Sequence, residues 1–289
     1  AIGWMRDREP DASPFCAWVS FPDPHHPFDA PEPWSYLHAP EDVDLPENRT
    51  RDFESRPWWH EAVLTAEPTG DPDLANIRKN YSRIPEQSDE QLREIIANTY
   101  GQIALIDQQV GRLMNCLREL GRADNTVVVY ASDHGDWLGD HGLVLKGPMH
   151  YEGLLRVPLI IRGPGISAGE INDSTVSTMD LATTFADYGK AELLLKQNGS
   201  SLRPLLETDA ERECARNEWD LLPTRAGVQL SLRTVRTKTA KMTKDLISGA
   251  GEMYDLATDP HEMTNLFDDP AHAALRAELE ALIDRRPDD

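Results

Sequence analysis

The sequence is poor in cysteine, in basic residues and in long apolar runs, and each shortage excludes a class of protein. Three scattered cysteines among 289 residues do not make a disulfide framework. No apolar run is long enough to cross a bilayer. The chain has only 29 Lys and Arg residues against 50 Asp and Glu residues, which gives a net charge of −21. Because nucleic acids and anionic membranes attract basic proteins, we expect neither as a partner.

The acidity still permits a small anionic substrate, because a local cluster of Lys, Arg and metal overrides the field of the whole protein. The length of 289 residues fits one large domain, or one domain with a small appendage. No signal peptide is visible. The sequence leaves the oligomeric state and the compartment open, with the cytoplasm as the expectation for the compartment.

The most informative stretch of the chain spans residues 126–164. It begins with an apolar run at residues 127–130, which predicts a buried parallel strand. A second apolar run at residues 157–161 predicts the next strand. In an open α/β sheet, ligands bind beyond the carboxyl ends of the strands. We therefore expect a metal or a catalytic group among the polar residues between the two runs.

Asp133 and His134 directly follow the first predicted strand, and Gly135 permits a sharp turn after them. At such a turn both side chains can face one ion, and a carboxylate with an imidazole suits a divalent cation. Asp-His-Gly recurs at residues 140–142, and the first copy is favoured because it sits on the strand end. The alternative is that Asp133 caps the turn and His134 is an ordinary loop histidine.

A second candidate for a catalytic or anion-binding residue, His25, lies near the start of the chain. Residues 14–21 predict a buried strand, and the next residues contain three prolines that stiffen the backbone around His25. A histidine held in this way binds an anionic oxygen or protonates a leaving group near neutral pH. The alternative is a proline-rich surface loop that exposes both His25 and His26.

Two further parts of the chain have clear periodic patterns. Residues 88–120 predict a long helix with a capping box at Ser88 and Gln91, ended by Gly121. The helix leads into the strand at residue 126, in the order of a doubly wound sheet. Residues 228–242 predict an antiparallel strand pair, whose basic residues we expect on a solvated face. A further strand at residues 251–256 and a helix at residues 270–283 follow.

Three segments resemble one family: ASDHGDWLGDHGLVLKGPMHYEGLLRVPLIIRGPG, PFCAWVSFPDPHHPFDAPEPW and GEMYDLATDPHEMTNL. They are similar to signature elements of the sulfatases, in the alkaline phosphatase superfamily. Because they lie near the start, in the middle and near the end, the resemblance extends over nearly the whole chain. The resemblance implies an α/β fold with an alkaline-phosphatase-like mixed sheet flanked by helices, and a small C-terminal antiparallel sheet. We expect residues 1–205 to belong to the catalytic α/β domain and residues 206–289 to form a small α+β subdomain.

The resemblance also implies an arylsulfatase-like hydrolysis of sulfate esters. It assigns metal ligation to Asp133 and His134, and contacts with the sulfate oxygens to Lys146. His25 becomes the histidine that binds sulfate or protonates the leaving group, and His150 a further substrate contact. The expected cofactor is a divalent metal, Ca²⁺ first, with Mn²⁺, Mg²⁺ and Zn²⁺ as alternatives. The expected partner is a small sulfated substrate.

One departure from the family pattern concerns the nucleophile. The family uses a formylglycine made from Cys or Ser in a C/S-x-P/A-x-R motif, and none of the three cysteines stands in such a motif. The first six residues predict the last turns of a helix that starts upstream. We therefore expect this chain to be the second part of a longer protein, whose missing first half supplies the nucleophile.

Two other functions stay open at this point. His134 stands where many sulfatases have Asn, which keeps a phosphonate monoester or phosphodiester hydrolase of the same superfamily as an alternative. The other alternative is a catalytically inactive fragment, since two donors are only part of a metal shell. The ratio of sulfatase to phosphodiesterase activity in the intact protein discriminates between the two hydrolases.

Overall fold

The structure is a computed structural model that describes residues 1–9, 12–77, 86–193, 195–208 and 210–286. The chain divides into two compact units, and each draws on several segments. Unit 1 consists of Ala1–Glu47, Gln87–Ala131 and Pro158–Ala168, and unit 2 of Asn48–Glu86, Ser132–Val157 and Gly169–Asp289. The predicted division of the chain at residue 205 stays a prediction. Among the described residues, no helix is both long and apolar enough to span a membrane.

The elements follow one another as a mixed α/β chain. The α-helices are α1 (Ile2–Arg6), α2 (Trp59–Thr65), α3 (Pro72–Ile77), α4 (Asp89–Glu119), α5 (Glu152–Leu155), α6 (Asp180–Gly189), α7 (Arg203–Glu207), α8 (Pro223–Ala226) and α9 (Ala273–Asp284). The strands are β1 (Val128–Ala131), β2 (Leu159–Arg162), β3 (Ala215–Leu221), β4 (Leu230–Arg236), β5 (Ala240–Asp245) and β6 (Gly251–Asp255). Short 3₁₀ turns lie between them, one of them at Asp140–Gly142.

The long helix α4 dominates unit 1 and confirms its prediction. The Ser88 side chain accepts a hydrogen bond from the Gln91 amide at 3.3 Å, and the Gln91 side chain accepts one from the Ser88 amide at 3.0 Å. This is the predicted capping box, which satisfies two amides at the helix start. Gly121 follows the helix with φ of +64°, the left-handed conformation that ends helices.

The strands of unit 1 correct a prediction. β1 and β2 pair antiparallel, with Val128 opposite Arg162 and Ala131 opposite Leu159. The predicted parallel, fully buried strand is wrong, since both strands are only partly buried and Ile160 is 64% exposed. An uninterrupted apolar run does not show whether its partner strand is parallel or antiparallel. It also does not show whether one or both faces of the strand are buried.

The predicted buried strand at residues 14–21 is also wrong. These residues are in no strand, and most of them are exposed, Trp18 by 81%. Phe15 packs edge-on against Trp4 at a ring separation of 5.2 Å. A run of β-forming residues becomes a strand only when another strand pairs with it, and this run pairs with none in the described part of the chain.

A four-stranded antiparallel sheet in the order β3-β4-β5-β6 forms the centre of unit 2. The predicted strand pair β4–β5, the strand β6 and the closing helix α9 are all confirmed. Side chains alternate between two faces along each strand. One face packs on α9 through Val235, Met242 and Met253 with Leu279 and Leu282. Full burial of each such side chain contributes about 1.5–3 kcal/mol.

The opposite face of this sheet, here called the site face, packs against the segment Ser132–Val157. Leu230, Leu232 and Tyr254 lie in one core with Trp137 and Tyr151. The expectation that the basic residues of β4 and β5 lie on a solvated face is wrong for Lys241, which is 1% exposed, and for Arg233, which is 7% exposed. The segment that carries the predicted metal ligands therefore rests on a buried sheet.

Candidate active site

The segment Ser132–Val157 has little regular structure, so its own hydrogen bonds hold its shape. The Gly135 amide donates to the Leu154 carbonyl at 2.8 Å. Asp136 accepts hydrogen bonds from the amides of Leu138 and Leu145 at 3.0 and 2.7 Å. These contacts tie the residues after the first Asp-His-Gly copy to the residues on either side of Lys146.

Trp137 anchors the same segment in the core. Its ring is buried in the cluster on the site face, and its Nε1–H donates to the Met149 carbonyl at 3.2 Å. A buried indole needs such a partner for its N–H. The loop is thus fixed at its middle as well as at Gly135.

Three of the predicted site residues come together at the surface of unit 2. The ammonium of Lys146 donates to Nε2 of His134 at 2.8 Å. Oδ2 of Asp133 lies 3.6 Å from the same Nε2. The Asp133 side chain is 87% exposed and that of His134 is 34% exposed. A carboxylate, an imidazole and an ammonium therefore meet at one accessible place on the surface. Lys146 reaches it from 12 residues beyond His134 along the chain.

The histidine of this cluster has a defined orientation. Nδ1 of His134 lies 2.8 Å from the Gly135 carbonyl and donates its hydrogen to it. The lone pair of the neutral ring is then on Nε2, the nitrogen that faces Asp133 and Lys146. Metal-ligating histidines typically use one ring nitrogen for the metal and give the other N–H to a carbonyl.

The donor set at Asp133 and His134 matches only part of the shell of the divalent metal that the resemblance implies. One accessible carboxylate and one oriented imidazole fit two positions of a metal shell. Among the described residues, no group of three or more His, Cys, Asp and Glu is arranged to hold a metal. The residues present therefore fit part of a shell, and further ligands are needed to complete it.

The second Asp-His-Gly copy has a different environment. His141 is 3% exposed and stacks on the Tyr151 ring at 3.6 Å. Burial lowers the pKa of His141 to about 3, and it raises the pKa of the neighbouring Asp140. A neutral, stacked imidazole packs the core, so the accessible pair is Asp133 and His134. Their assignment as metal ligands stays a prediction.

His150, the predicted substrate contact, is 1% exposed in unit 2. Its Nδ1 lies 2.7 Å from the Thr234 hydroxyl on the site face, and its ring is 5.9 Å from that of Trp219. Burial lowers the pKa of His150 to about 4. Nε2 of His150 is buried and has no hydrogen-bond partner within the described ranges. The role of His150 as a substrate contact stays a prediction.

His25, the predicted acid or sulfate ligand, belongs to unit 1 and is exposed. Its Nδ1–H donates to the His26 carbonyl at 2.8 Å, and the two imidazole rings are 4.0 Å apart. The amide of His25 donates to the Pro22 carbonyl at 3.3 Å, which closes a turn. These two hydrogen bonds orient His25 in an exposed loop, and its chemical role stays a prediction.

The sequence patterns missed a buried polar network on the site face. Glu252 is 2% exposed, lies 3.2 Å from His60 and accepts a hydrogen bond from Tyr254 at 2.7 Å. Arg56 donates to the Tyr254 hydroxyl at 2.6 Å. Burial alone would raise the pKa of Glu252, yet the charge and hydrogen bonds of its partners lower it to about 2. The alternation of Glu252 and Tyr254 was the one sequence signal for this network.

Two family models match long parts of this chain. The Sulfatase family model matches residues 1–191, so the chain belongs to the sulfatase family, in the alkaline phosphatase superfamily. A second model, described as N-sulphoglucosamine sulphohydrolase, C-terminal, matches residues 139–288. The two matches overlap on residues 139–191, which include Lys146, while Asp133 and His134 lie in the first match alone.

Individual proteins similar to this chain include sulfatases and a related hydrolase. The chain is 29% identical to the N-acetylglucosamine-6-O-sulfatase of Bacteroides thetaiotaomicron over 91% of this chain and 52% of that protein. It matches the phosphonate monoester hydrolase of Agrobacterium radiobacter with a TM-score of 0.75 and 29% identity, over 98% of this chain and 58% of the other.

A third match is a structure solved in complex with its substrate D-glucosamine-2-N,6-O-disulfate. Its TM-score is 0.73 at 26% identity, over 98% of this chain and 67% of the other. The chain spans about half the length of the curated relatives it matches. The activity of a whole protein of this kind is therefore a matter of proposal.

Proposed function

We propose that the protein to which this chain belongs hydrolyses sulfate esters with the help of a divalent metal. The observation that carries this proposal is the accessible cluster of Asp133, His134 and Lys146. A carboxylate and an oriented imidazole suit a metal, and an adjacent ammonium suits an anionic group bound to that metal. Membership of the sulfatase family supports the same chemistry.

In this proposal each residue has one task. Asp133 and His134 hold the cation, with Ca²⁺ expected first and Mn²⁺, Mg²⁺ and Zn²⁺ as alternatives. When bound, such an ion supplies Lewis-acid polarisation of the ester. Lys146 balances the negative charge that grows on the ester oxygens. His25 binds an ester oxygen or protonates the leaving alcohol.

The nucleophile and the remaining metal ligands come, in this proposal, from a part of the protein outside this chain. None of the three cysteines stands in a C/S-x-P/A-x-R motif, from which the family makes formylglycine. The partial donor set at Asp133 and His134 and the half-length match to the relatives support this assignment. By itself, the chain is expected to be inactive.

The proposed substrate is a small sulfated molecule, and amino-sugar sulfates are the first class to test. One relative is an N-acetylglucosamine-6-O-sulfatase, and one structural neighbour holds D-glucosamine-2-N,6-O-disulfate. A second candidate function is phosphonate monoester hydrolysis. The observation that favours it is the match to a phosphonate monoester hydrolase with a TM-score of 0.75.

The deciding experiment uses the full-length protein, loaded in turn with Ca²⁺ and Mn²⁺. Turnover of an aryl sulfate and of a phosphonate monoester with the same aryl leaving group is compared. A kcat/KM that is higher for the sulfate supports the sulfatase, and the reverse order supports the second candidate. Turnover of an aryl sulfate by this chain alone would overturn the proposal that the nucleophile lies elsewhere.

A further inference from the structure

Lys241 is a buried lysine with an unusual set of neighbours. It lies on the site face of the sheet, and 1% of its side chain is exposed. Its Nζ contacts Oε1 of Glu262 and lies 3.5 Å from Oε1 of Glu152. Arg236 contacts the other oxygen of Glu152 at 3.2 Å. Two basic groups and two carboxyl groups therefore meet in one largely buried cluster.

Both carboxylates of this cluster meet at the start of α5. Glu152 is the first residue of α5, and its backbone amide donates to Oε2 of Glu262 at 2.7 Å. Glu262 has φ of +55°, a left-handed conformation that costs about 1 kcal/mol or more for a residue other than glycine. Such a conformation persists only where the surrounding contacts hold it. Lys241 is thus part of what fixes the position of α5.

α5 in turn touches the residue that follows His134. The Leu154 carbonyl accepts the hydrogen bond of the Gly135 amide at 2.8 Å. The two backbones are so close that a Cβ on Gly135 would lie 2.0 Å from the Gly153 carbonyl oxygen. A shift of α5 away from the sheet therefore moves Gly135 directly.

A buried ion cluster is not in itself a strong source of stability. Removing charges from water is expensive, and a packed apolar group of similar volume is often as stabilising as a buried ion pair. The hydrogen bonds in this cluster, from the Glu152 amide to Glu262 and from Arg236 to Glu152, are directional and restrict how the groups that they join are arranged. At this place the group that is joined is α5, which borders the candidate site.

We propose that Lys241 is a positioning residue for the Asp133–His134 pair, acting through Glu152, Glu262 and α5. It holds α5 against Gly135, and Gly135 sets the direction of the backbone that carries the pair. This inference rests on the proposed function, since it assigns Lys241 to the metal site proposed there. If the role of Lys241 were purely structural, its replacement would lower the stability of the protein. The molecules that stay folded would then bind the metal as tightly as the wild type.

The test uses two variants of the full-length protein. Lys241→Met leaves two buried carboxylates opposite one cation and is expected to fold poorly. The double variant Lys241→Met/Glu262→Gln restores charge balance, and its new amide still accepts the hydrogen bond from the Glu152 backbone. The matched control is Lys238→Met, because Lys238 lies in the same hairpin but is 66% exposed and pairs with Asp173 at the surface.

Two measurements are made on the folded variants. Hydrogen exchange of the Gly135 amide reports whether α5 still holds the backbone, and calorimetric titration with Mn²⁺ reports the metal site. For the double variant we expect faster Gly135 exchange than in the wild type, and about 10-fold to 100-fold weaker Mn²⁺ binding. Lys238→Met is expected to match the wild type in both measurements.

Unchanged protection of Gly135 in the double variant would overturn the positioning role, whatever the activity. Lost protection together with Mn²⁺ affinity equal to the wild type would overturn it as well. If the wild type itself neither binds Mn²⁺ nor hydrolyses an aryl sulfate, the proposed function fails. In that case lost Gly135 protection in the double variant still supports the mechanical link from Lys241 to Gly135.

Discussion

Lys146 donates a hydrogen bond of 2.8 Å to Nε2 of His134, the ring nitrogen that carries the lone pair. A metal ion bound by His134 needs that same lone pair. The lysine and the metal therefore compete for one nitrogen, and the metal-bound protein must move Lys146 to another acceptor. The oxygens of a bound ester would be such an acceptor, so in the proposed function Lys146 would turn from His134 to the substrate.

Replacement of Lys146 separates these two roles. In Lys146→Met the competing ammonium is absent, so we expect Mn²⁺ to bind at least as tightly as in the wild type. Hydrolysis of an aryl sulfate by the full-length protein should fall by about 10²- to 10³-fold, since a charge-stabilising donor is lost. Lys196→Met, at an exposed lysine of the same unit, is the control and should change neither value. Weaker Mn²⁺ binding in Lys146→Met would contradict the competition.

Asp133 should matter for metal binding and little for stability. Its side chain is 87% exposed, so Asp133→Asn is expected to change the free energy of unfolding by less than about 1 kcal/mol. The loss of a charged ligand should weaken Mn²⁺ binding by about 10-fold or more. Asp268→Asn is the matched control, because Asp268 is 89% exposed and pairs only at the surface. Equal Mn²⁺ affinity in Asp133→Asn and the wild type, by calorimetric titration, would exclude Asp133 as a ligand.

Gly135 is predicted to tolerate no side chain. A Cβ there would lie 2.0 Å from the Gly153 carbonyl oxygen, and the nearest atoms are all backbone of Gly153 and Leu154, which cannot rotate away as a side chain can. Gly135→Ala should destabilise the protein by on the order of 3 kcal/mol. Gly111→Ala is the control, since Gly111 lies in α4 with no atom near its Cβ position, and it should stabilise by about 0.5–1 kcal/mol. Urea unfolding compares the two, and equal midpoints would contradict the packing of α5 on Gly135.

His150 should make stability fall in acid. Burial lowers its pKa to about 4, with a smaller lowering from Lys241 and His60 and an opposing rise from Glu252. An unfolded histidine titrates near 6.5, so between these values the unfolded state binds more protons and stability rises with pH. The contribution of His150 is complete above pH 6.5 and is lost as pH falls toward 4. On the order of 2 kcal/mol is lost between pH 7 and 5.

Urea unfolding of His150→Asn at pH 7 and pH 5 checks this expectation. The variant starts less stable, but it should lose about 2 kcal/mol less than the wild type over that interval. His272→Asn, at a half-exposed histidine paired with Asp269, serves as the control. A wild-type pH slope that persists in His150→Asn would assign the acid sensitivity to other groups, among them His141.

The elements that the sequence predicted well are those whose signals are local. The helix α4 has an apolar stripe and a capping box at Ser88, and both lie within the element itself. The strands β4 and β5 alternate and are joined by a short turn, so their pairing is also local. The prediction for residues 14–21 failed because a strand forms only with a partner strand. The sequence of the run itself does not show whether such a partner lies beside it.

The candidate site divides in the same way. Asp133, His134 and Lys146 lie within one segment, and the resemblance to the family motif was sufficient to predict all three. The cluster of Lys241, Glu152 and Glu262 joins residues that are far apart along the chain. No spacing rule links them, and the basic residues of a hairpin ordinarily face water. Only the packing of the site segment on the sheet reveals that Lys241 is buried.

The extended run at residues 14–21 has a practical consequence. Trp18 is 81% exposed there beside other β-forming side chains, and the backbone of the run belongs to neither of the sheets that the described residues form. Unpaired β-forming segments of this kind are templates for aggregation between molecules. We expect the isolated chain to precipitate as its concentration rises, and a charged residue in place of Trp18 to extend the range over which it can be handled.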